Sequence, residues 1–315
     1  MVTNRFLAAF FAVFYFASVG NAQSMLGQAL SEHEPNRIVW TNDDDDVAYL
    51  DLQVSLRYEL LPRTFEGISR KVSPEGSTKR LRPYIAFTTR LGQYVKTRES
   101  APVIGKRFNP QIYLRFESPQ SWYMQIAYGH ESNGQHIDSL DQFQRAQEEE
   151  LLVNEDSTFA RDFVSRGWDY SEFVAAKEFT GGATRFGFYM SGRYFLRDGA
   201  LEGEPDEFFP WETVDEDRVT RRIQVHGLRA TVKYEQDVNL GFIKGWKVAG
   251  GFETGVESFG MIGKHQTWRV ESTVLCGVLP IHAFASTGFG GDLARYNRKV
   301  DSFGFGFEFR PSWRG

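Results

Sequence analysis

One stretch of the chain carries chemically capable residues at a spacing that lets them act together: Tyr128-Gly129-His130-Glu131-Ser132-Asn133-Gly134. Trp122, Met124, Ile126 and Tyr128 are apolar at every second position, the period of a strand with one apolar face. His130 and Ser132 continue that parity, so an imidazole and a hydroxyl stand side by side on the apolar face, just ahead of an Asn-Gly turn signal. Taken alone, such a pair is equally at home as a polar break at the rim of a membrane band. A second cluster, Ser165-Arg166-Gly167-Trp168-Asp169, opens the next strand. Antiparallel neighbours joined by one loop bring these two strand ends together and put Asp169 within reach of His130. Serine, histidine and carboxylate in mutual reach suit acyl transfer, in which the hydroxyl attacks, the base takes its proton and the acid orients the base.

The elements that must hold these residues are strands. Leu50, Leu52, Val54, Leu56, Tyr58 and Leu60 alternate with Asp51, Gln53, Ser55, Arg57 and Glu59. Ile112, Leu114 and Phe116 alternate with Tyr113 and Arg115, and Leu228, Ala230, Val232 and Tyr234 with Arg229, Thr231, Lys233 and Glu235. Phe186, Phe188, Met190 and Tyr194, then Trp268, Val270, Val274 and Cys276, and finally Phe303, Phe305, Phe307 and Phe309 repeat the signature. There are roughly eleven such segments, and Arg37-Ile38-Val39-Trp40 is a weak further one that would complete the even number usual in bacterial barrels.

A soluble β-sandwich and a membrane barrel both bury alternating strands. The barrel is favoured because charged residues fill every second position along many strands, and several runs reach the roughly 9–11 residues needed to cross a bilayer at a tilt. Aromatics make up 15% of the chain, and Tyr49, Tyr58, Trp122, Trp246, Trp268 and Trp313 lie near strand ends, where interfacial girdles sit. Tight turns near 118–120 and 181–182 contrast with long polar stretches at 135–165 and 198–219. The expected fold is therefore all-β, a transmembrane antiparallel β-barrel of about twelve strands.

The N-terminus reads as a signal peptide over residues 1–22: Arg5, an apolar run from Phe6 to Val19, then the small-residue site Gly20-Asn21-Ala22. The run is too short for a spanning helix. An N-terminal periplasmic segment over 23–48 and a barrel over 49–315 follow. The mixed net charge of −5 argues against a nucleic-acid partner. The single cysteine, Cys276, excludes an intramolecular disulfide, and no histidine has a second one at metal spacing, which disfavours zinc.

These residues resemble the outer-membrane phospholipase A family of Gram-negative bacteria. Its signature is a strand ending in His-x-Ser-Asn-Gly, then Ser-Arg-x-Trp-Asn after a loop, met here by His130 to Gly134 and by Ser165 to Asp169. The likeness extends to Asn109-Pro110-Gln111-Ile112-Tyr113-Leu114 and to 288–297. The resemblance implies a calcium-dependent phospholipase of the Gram-negative outer membrane, active as a homodimer on acyl esters of glycerophospholipids and lysophospholipids. Ser132 would be the nucleophile, His130 the general base and Asp169 the residue that orients His130. Calcium would be held by Ser165 and the backbone carbonyl of Gln135, with Ser100 from a partner subunit. The family carries Asn where this chain has Asp169, Arg where it has Gln135, and a shorter loop than 136–164 between the motifs. The family pattern implies that an amide suffices in place of Asp169. A non-catalytic barrel, channel or adhesin-like, accounts for the strands and the signal peptide but leaves both motifs as coincidence.

Overall fold

The computed structural model describes residues 30–43, 47–72, 80–201, 209, 211–212, 219–258, 260, 262–290 and 292–309. The expected signal peptide over 1–22 and Trp313 lie outside them.

Alternating sequences cannot bury both faces of a strand in one core, and in a bilayer every backbone donor must find a partner. A closed ring satisfies both demands. The strands are β1 (Leu30–Glu32), β2 (Asn36–Asp43), β3 (Ala48–Glu59), β4 (Arg80–Gln93), β5 (Val103–Ser118), β6 (Trp122–Ser132), β7 (Gly167–Gly181), β8 (Thr184–Phe195), β9 (Leu228–Leu240), β10 (Ile243–Thr254), β11 (Gln266–Cys276), β12 (Leu279–Thr287) and β13 (Ser302–Phe309). From β2 to β13 each pairs antiparallel with its chain neighbours, and β13 closes on β2 through Ser302↔Asp43 to Phe309↔Asn36. The result is a closed twelve-stranded transmembrane barrel. The short β1 continues the line of β2 along β3.

Strand parity sorts the side chains as the sequence implies. Ile85, Phe87, Ile112, Ile126, Phe188 and Phe305 are exposed on the outer wall, while Asp51, Gln111, Arg115, Gln125, Lys247 and Glu308 are buried inside. Connections at one end are tight, as at 119–121, 182–183, 241–242 and 277–278; most at the other end are longer, as at 94–102, 133–166, 196–227 and 288–301, with 44–47 the short one. The exception at the tight end is 60–79, which carries helix α1 (Pro62–Val72). At the long end, helix α2 (Leu140–Asn154) and a 3-10 turn (Ser157–Phe163) fill the β6–β7 connection.

Two expectations need correction. The barrel does not begin at 49: β2, within the segment expected to precede it, is a full member of the ring. This strand is the weak segment read at Arg37–Trp40, and its pairing with two neighbours puts the start of the ring at Asn36. Tyr49 is no girdle residue either, because it shares the parity of Asp51 and is buried inward with the Lys106 ammonium 4.2 Å from its ring. Trp268, by contrast, is exposed on the outer wall.

The lumen is crossed by ion pairs. Arg37 bridges Glu271 (2.9 Å) and Glu308 (3.0 Å), and Lys247 contacts the same two carboxylates at 3.2 and 2.6 Å. Between β1 and β2, residues 33–35 leave the ladder and fold inward, where His33 hydrogen-bonds Gln111 (2.9 Å) and stacks on Tyr113. Such networks are how a polar interior satisfies buried charge without water.

Candidate active site

The site lies on the outer wall at the long-loop end of β6 and β7. Register pairs His130 with Asp169 and Ser132 with Gly167. His130 Nδ1 is 2.8 Å from Asp169 Oδ1. The second carboxylate oxygen, Oδ2, accepts the Tyr128 hydroxyl and the Leu201 backbone N–H (2.7 Å). Asp169 thus faces outward with His130 and yet is fully buried, because residues 199–201 of the β8–β9 connection lie across it. Asp169 held in this way fixes the imidazole with its proton on Nδ1 and its Nε2 free to accept.

Ser132 follows two residues after His130 on the same outward parity and is partly exposed. Among the described residues its hydroxyl makes no hydrogen bond, His130 included. Nucleophile–base bonds of this kind are often open in a free enzyme and close around substrate. The set can perform acyl transfer once that bond forms.

Inside the wall, the residue between them does different work. Glu131 is fully buried and meets Arg222 (2.7 Å), Arg107 (3.2 Å) and Arg193 (3.5 Å). These arginines come from the β8–β9 connection, β5 and β8, so three elements are fastened to the point where His130 and Ser132 attach. The Arg222 guanidinium also lies 4.6 Å from the Trp168 ring, which belongs to a core with Val219, Val225, Phe289, Leu293 and Tyr296. Sequence parity places Glu131 inward but names none of its partners, which are far away along the chain. Tyr128 and residues 199–201 were missed for the same reason.

The β6–β7 connection is stitched at its base by Asn133. Its side chain donates to Val164 O (2.7 Å) and accepts from Arg166 N (3.0 Å) and Gln135 N (3.3 Å), and its own N–H donates to Arg166 O (3.1 Å). Ser165 N donates to Ile137 O (2.8 Å), so Ser165 and Gln135 sit on adjoining chain segments despite the long insertion. Above them Asp162 is held by Arg98 and by Arg295 (2.8 Å). Burial works against its charge, but Arg295, Arg98 and Lys106 hold its carboxyl well below the usual carboxylate range. Ser100 is exposed on the β4–β5 loop, beside Glu99, whose N–H donates to Asn154 at the end of α2 (2.6 Å). Among the described residues no hydrogen bond joins Ser100 to Ser165.

His282 joins Glu271 and Glu308 in a cluster of metal-ligating types that sequence spacing could not show. Arg37 and Lys247 already neutralise both carboxylates there, so the group reads as part of the lumen network.

No protein-family model and no curated protein matches the chain. Solved structures do match. An active-site mutant of outer membrane phospholipase A from Escherichia coli superposes with TM-score 0.57 at 14% identity, covering 93% of this chain and 95% of that one. The fold is shared with outer membrane phospholipase A. A second Escherichia coli structure of that enzyme gives TM-score 0.56 at 14% identity with the same coverage. The Salmonella typhi enzyme, a dimer with bound calcium, gives 0.55 at 15% identity, covering 93% and 95%. At these identities the likeness to outer membrane phospholipase A concerns the barrel, a form found in Gram-negative outer-membrane proteins.

Proposed function

We propose that the chain is a phospholipase of the Gram-negative outer membrane, hydrolysing acyl esters of glycerophospholipids and lysophospholipids from the barrel's outer wall. The observation that carries this reading is the His130–Asp169 bond on a lipid-facing surface, with Ser132 next along the same face. Ser132 Oγ attacks the ester carbonyl while His130 Nε2 takes its proton; His130 returns that proton to the departing lyso-lipid oxygen. Water, deprotonated by His130, then attacks the acyl carbonyl, and the proton passes from His130 to Ser132 Oγ as the fatty acid leaves. Asp169 holds the imidazole in one tautomer throughout. The signal peptide over 1–22 and action as a homodimer belong to the same reading. A channel fares worse, because ion pairs from several strands cross the lumen. Refolded protein assayed on phospholipid vesicles and on a p-nitrophenyl ester tests the reading; no turnover of either substrate by folded protein would overturn it.

Calcium fits the donors in kind. Ser165 and the Gln135 carbonyl are neutral hard oxygens carried by segments that Asn133 ties together, and Ser100 is exposed for use by a second subunit. When bound, calcium would polarise the substrate carbonyl. Chelation is expected to remove most of the turnover without unfolding the barrel, since these donors contribute little to the fold. Neutral donors bind weakly, so half-saturation is expected at about 10⁻⁴–10⁻³ M. Asn133→Ala should raise that concentration further by freeing the two segments. A calcium titration of activity with a parallel gel-mobility check measures both effects, and full activity in excess chelator would remove calcium from the reading.

A further inference from the structure

Asp169 has a feature that neither a triad nor the resemblance requires: it is covered. The β8–β9 connection turns back over the outer wall so that Leu201 N–H donates to Asp169 Oδ2 (2.7 Å) and Ala200 N–H donates to the Tyr128 oxygen (2.9 Å). The Tyr128 hydroxyl in turn donates to the same Oδ2. Gly199 is pressed so closely onto Asp169 that a Cβ there would overlap the carboxylate side chain. One oxygen of Asp169 is therefore committed to two donors and the other to His130 Nδ1.

We propose that Tyr128 and the 199–201 strap are positioning elements of the site and that they make it selective for a carboxylate at 169. The proposal rests on the hydrolase reading above.

The reason lies in donor count. An ionised carboxylate accepts on both oxygens, whereas an amide has one acceptor and one donor end. With Asn at 169, the amide oxygen can face His130 only if its NH₂ meets the Leu201 N–H head-on and leaves the Tyr128 proton without an acceptor. Turned the other way, the amide satisfies the strap and Tyr128 together. Its NH₂ then points at Nδ1, which favours the tautomer with the proton on Nε2. That tautomer presents an N–H to Ser132 and cannot take its proton. The strap's backbone donor cannot turn away, so the second orientation wins. The amide implied to suffice by the family pattern is thus excluded here by the strap and Tyr128.

The test uses full-length refolded protein. Asp169→Asn is expected to lower kcat by about 10²-fold or more, with KM little changed. Tyr128→Phe, which keeps the ring, should lower kcat roughly tenfold in the native background. In the Asp169→Asn background the same change should cost nothing or restore activity, because it removes one of the two donors that turn the amide the wrong way. Gly199→Ala should reproduce the Tyr128→Phe loss by lifting the strap. Independently of activity, ¹⁵N-histidine spectra should show His130 protonated on Nδ1 in the native protein and on Nε2 in Asp169→Asn, with His130→Gln assigning the signal. Near-native turnover by Asp169→Asn, equal costs of Tyr128→Phe in both backgrounds, or an unchanged His130 tautomer would each overturn the proposal. If Ser132→Ala hydrolyses ester as well as native protein, the hydrolase reading itself falls; loss in Ser132→Ala beside an unaffected Tyr128→Phe removes the strap's role alone.

Discussion

Replacing Ser132 by alanine is expected to reduce ester hydrolysis by at least about 10³-fold while leaving the barrel folded. Ser132 makes no hydrogen bond through its side chain among the described residues, and its backbone pairing with Gly167 does not depend on the hydroxyl. The strand's outer face meets lipid, where a methyl group is as acceptable as a hydroxymethyl group. The loss should therefore appear in kcat alone, with unchanged heat-modifiability on gels. Such a split separates a nucleophile from a residue that merely packs, because a packing residue would lower thermal resistance and activity together. Near-native hydrolysis by correctly folded Ser132→Ala would leave the motif without its central role.

How much of this could be read from the sequence depends on the range of the interaction. Parity is local, so the outward positions of Ile126, His130 and Ser132 follow from a few consecutive residues. Pairing of Asp169 with His130 is one step longer, but two strands joined by a single connection leave little freedom, and the register indeed sets them opposite each other. Tyr49 marks the point where the same reasoning failed: nearness to a strand end suggested a girdle, while parity with Asp51 turns it inward. Beyond one hairpin the sequence says almost nothing. The meeting of Arg222 with Glu131, of Leu201 with Asp169 and of Arg37 with Glu271 joins elements whose proximity exists only once the ring is closed. At the base of the long β6–β7 connection, Asn133, already part of the motif, ties both ends together.

Glu131 should prove the most costly residue of the motif to remove for stability, although it touches no substrate. Its carboxylate is fully buried between Arg222, Arg107 and Arg193. Arg107 has a second carboxylate in Glu34 (3.5 Å) and Arg193 has one in Glu172 (2.8 Å), whereas among the described residues Arg222 has its one ion-pair contact in Glu131, with the Trp168 and Phe195 rings beside it and the Glu253 charge acting from farther off. Glu131→Ala therefore strands one buried guanidinium, a change that costs about 3–5 kcal/mol when a buried pair loses one partner. The cost falls on the β8–β9 connection, because the barrel strands keep their backbone ladders and Arg222 can leave for water only by lifting its 3-10 turn, Arg222–Gln224, from the mouth. That movement also withdraws support from Trp168, the residue before Asp169. Limited proteolysis is expected to cut within 219–227 in Glu131→Ala and to spare those residues in the native protein, with hydrolysis falling more than tenfold in parallel. Glu131→Gln should lie between the two, since it keeps a hydrogen-bond acceptor but loses the charge. Adding Arg222→Met to Glu131→Gln should recover protease resistance, because removing both partners of a buried pair is milder than removing one. Equal resistance in all four proteins would mean that the carboxylate does not anchor this connection, and a double variant no better than Glu131→Gln would place the anchor at Arg107 or Arg193 instead.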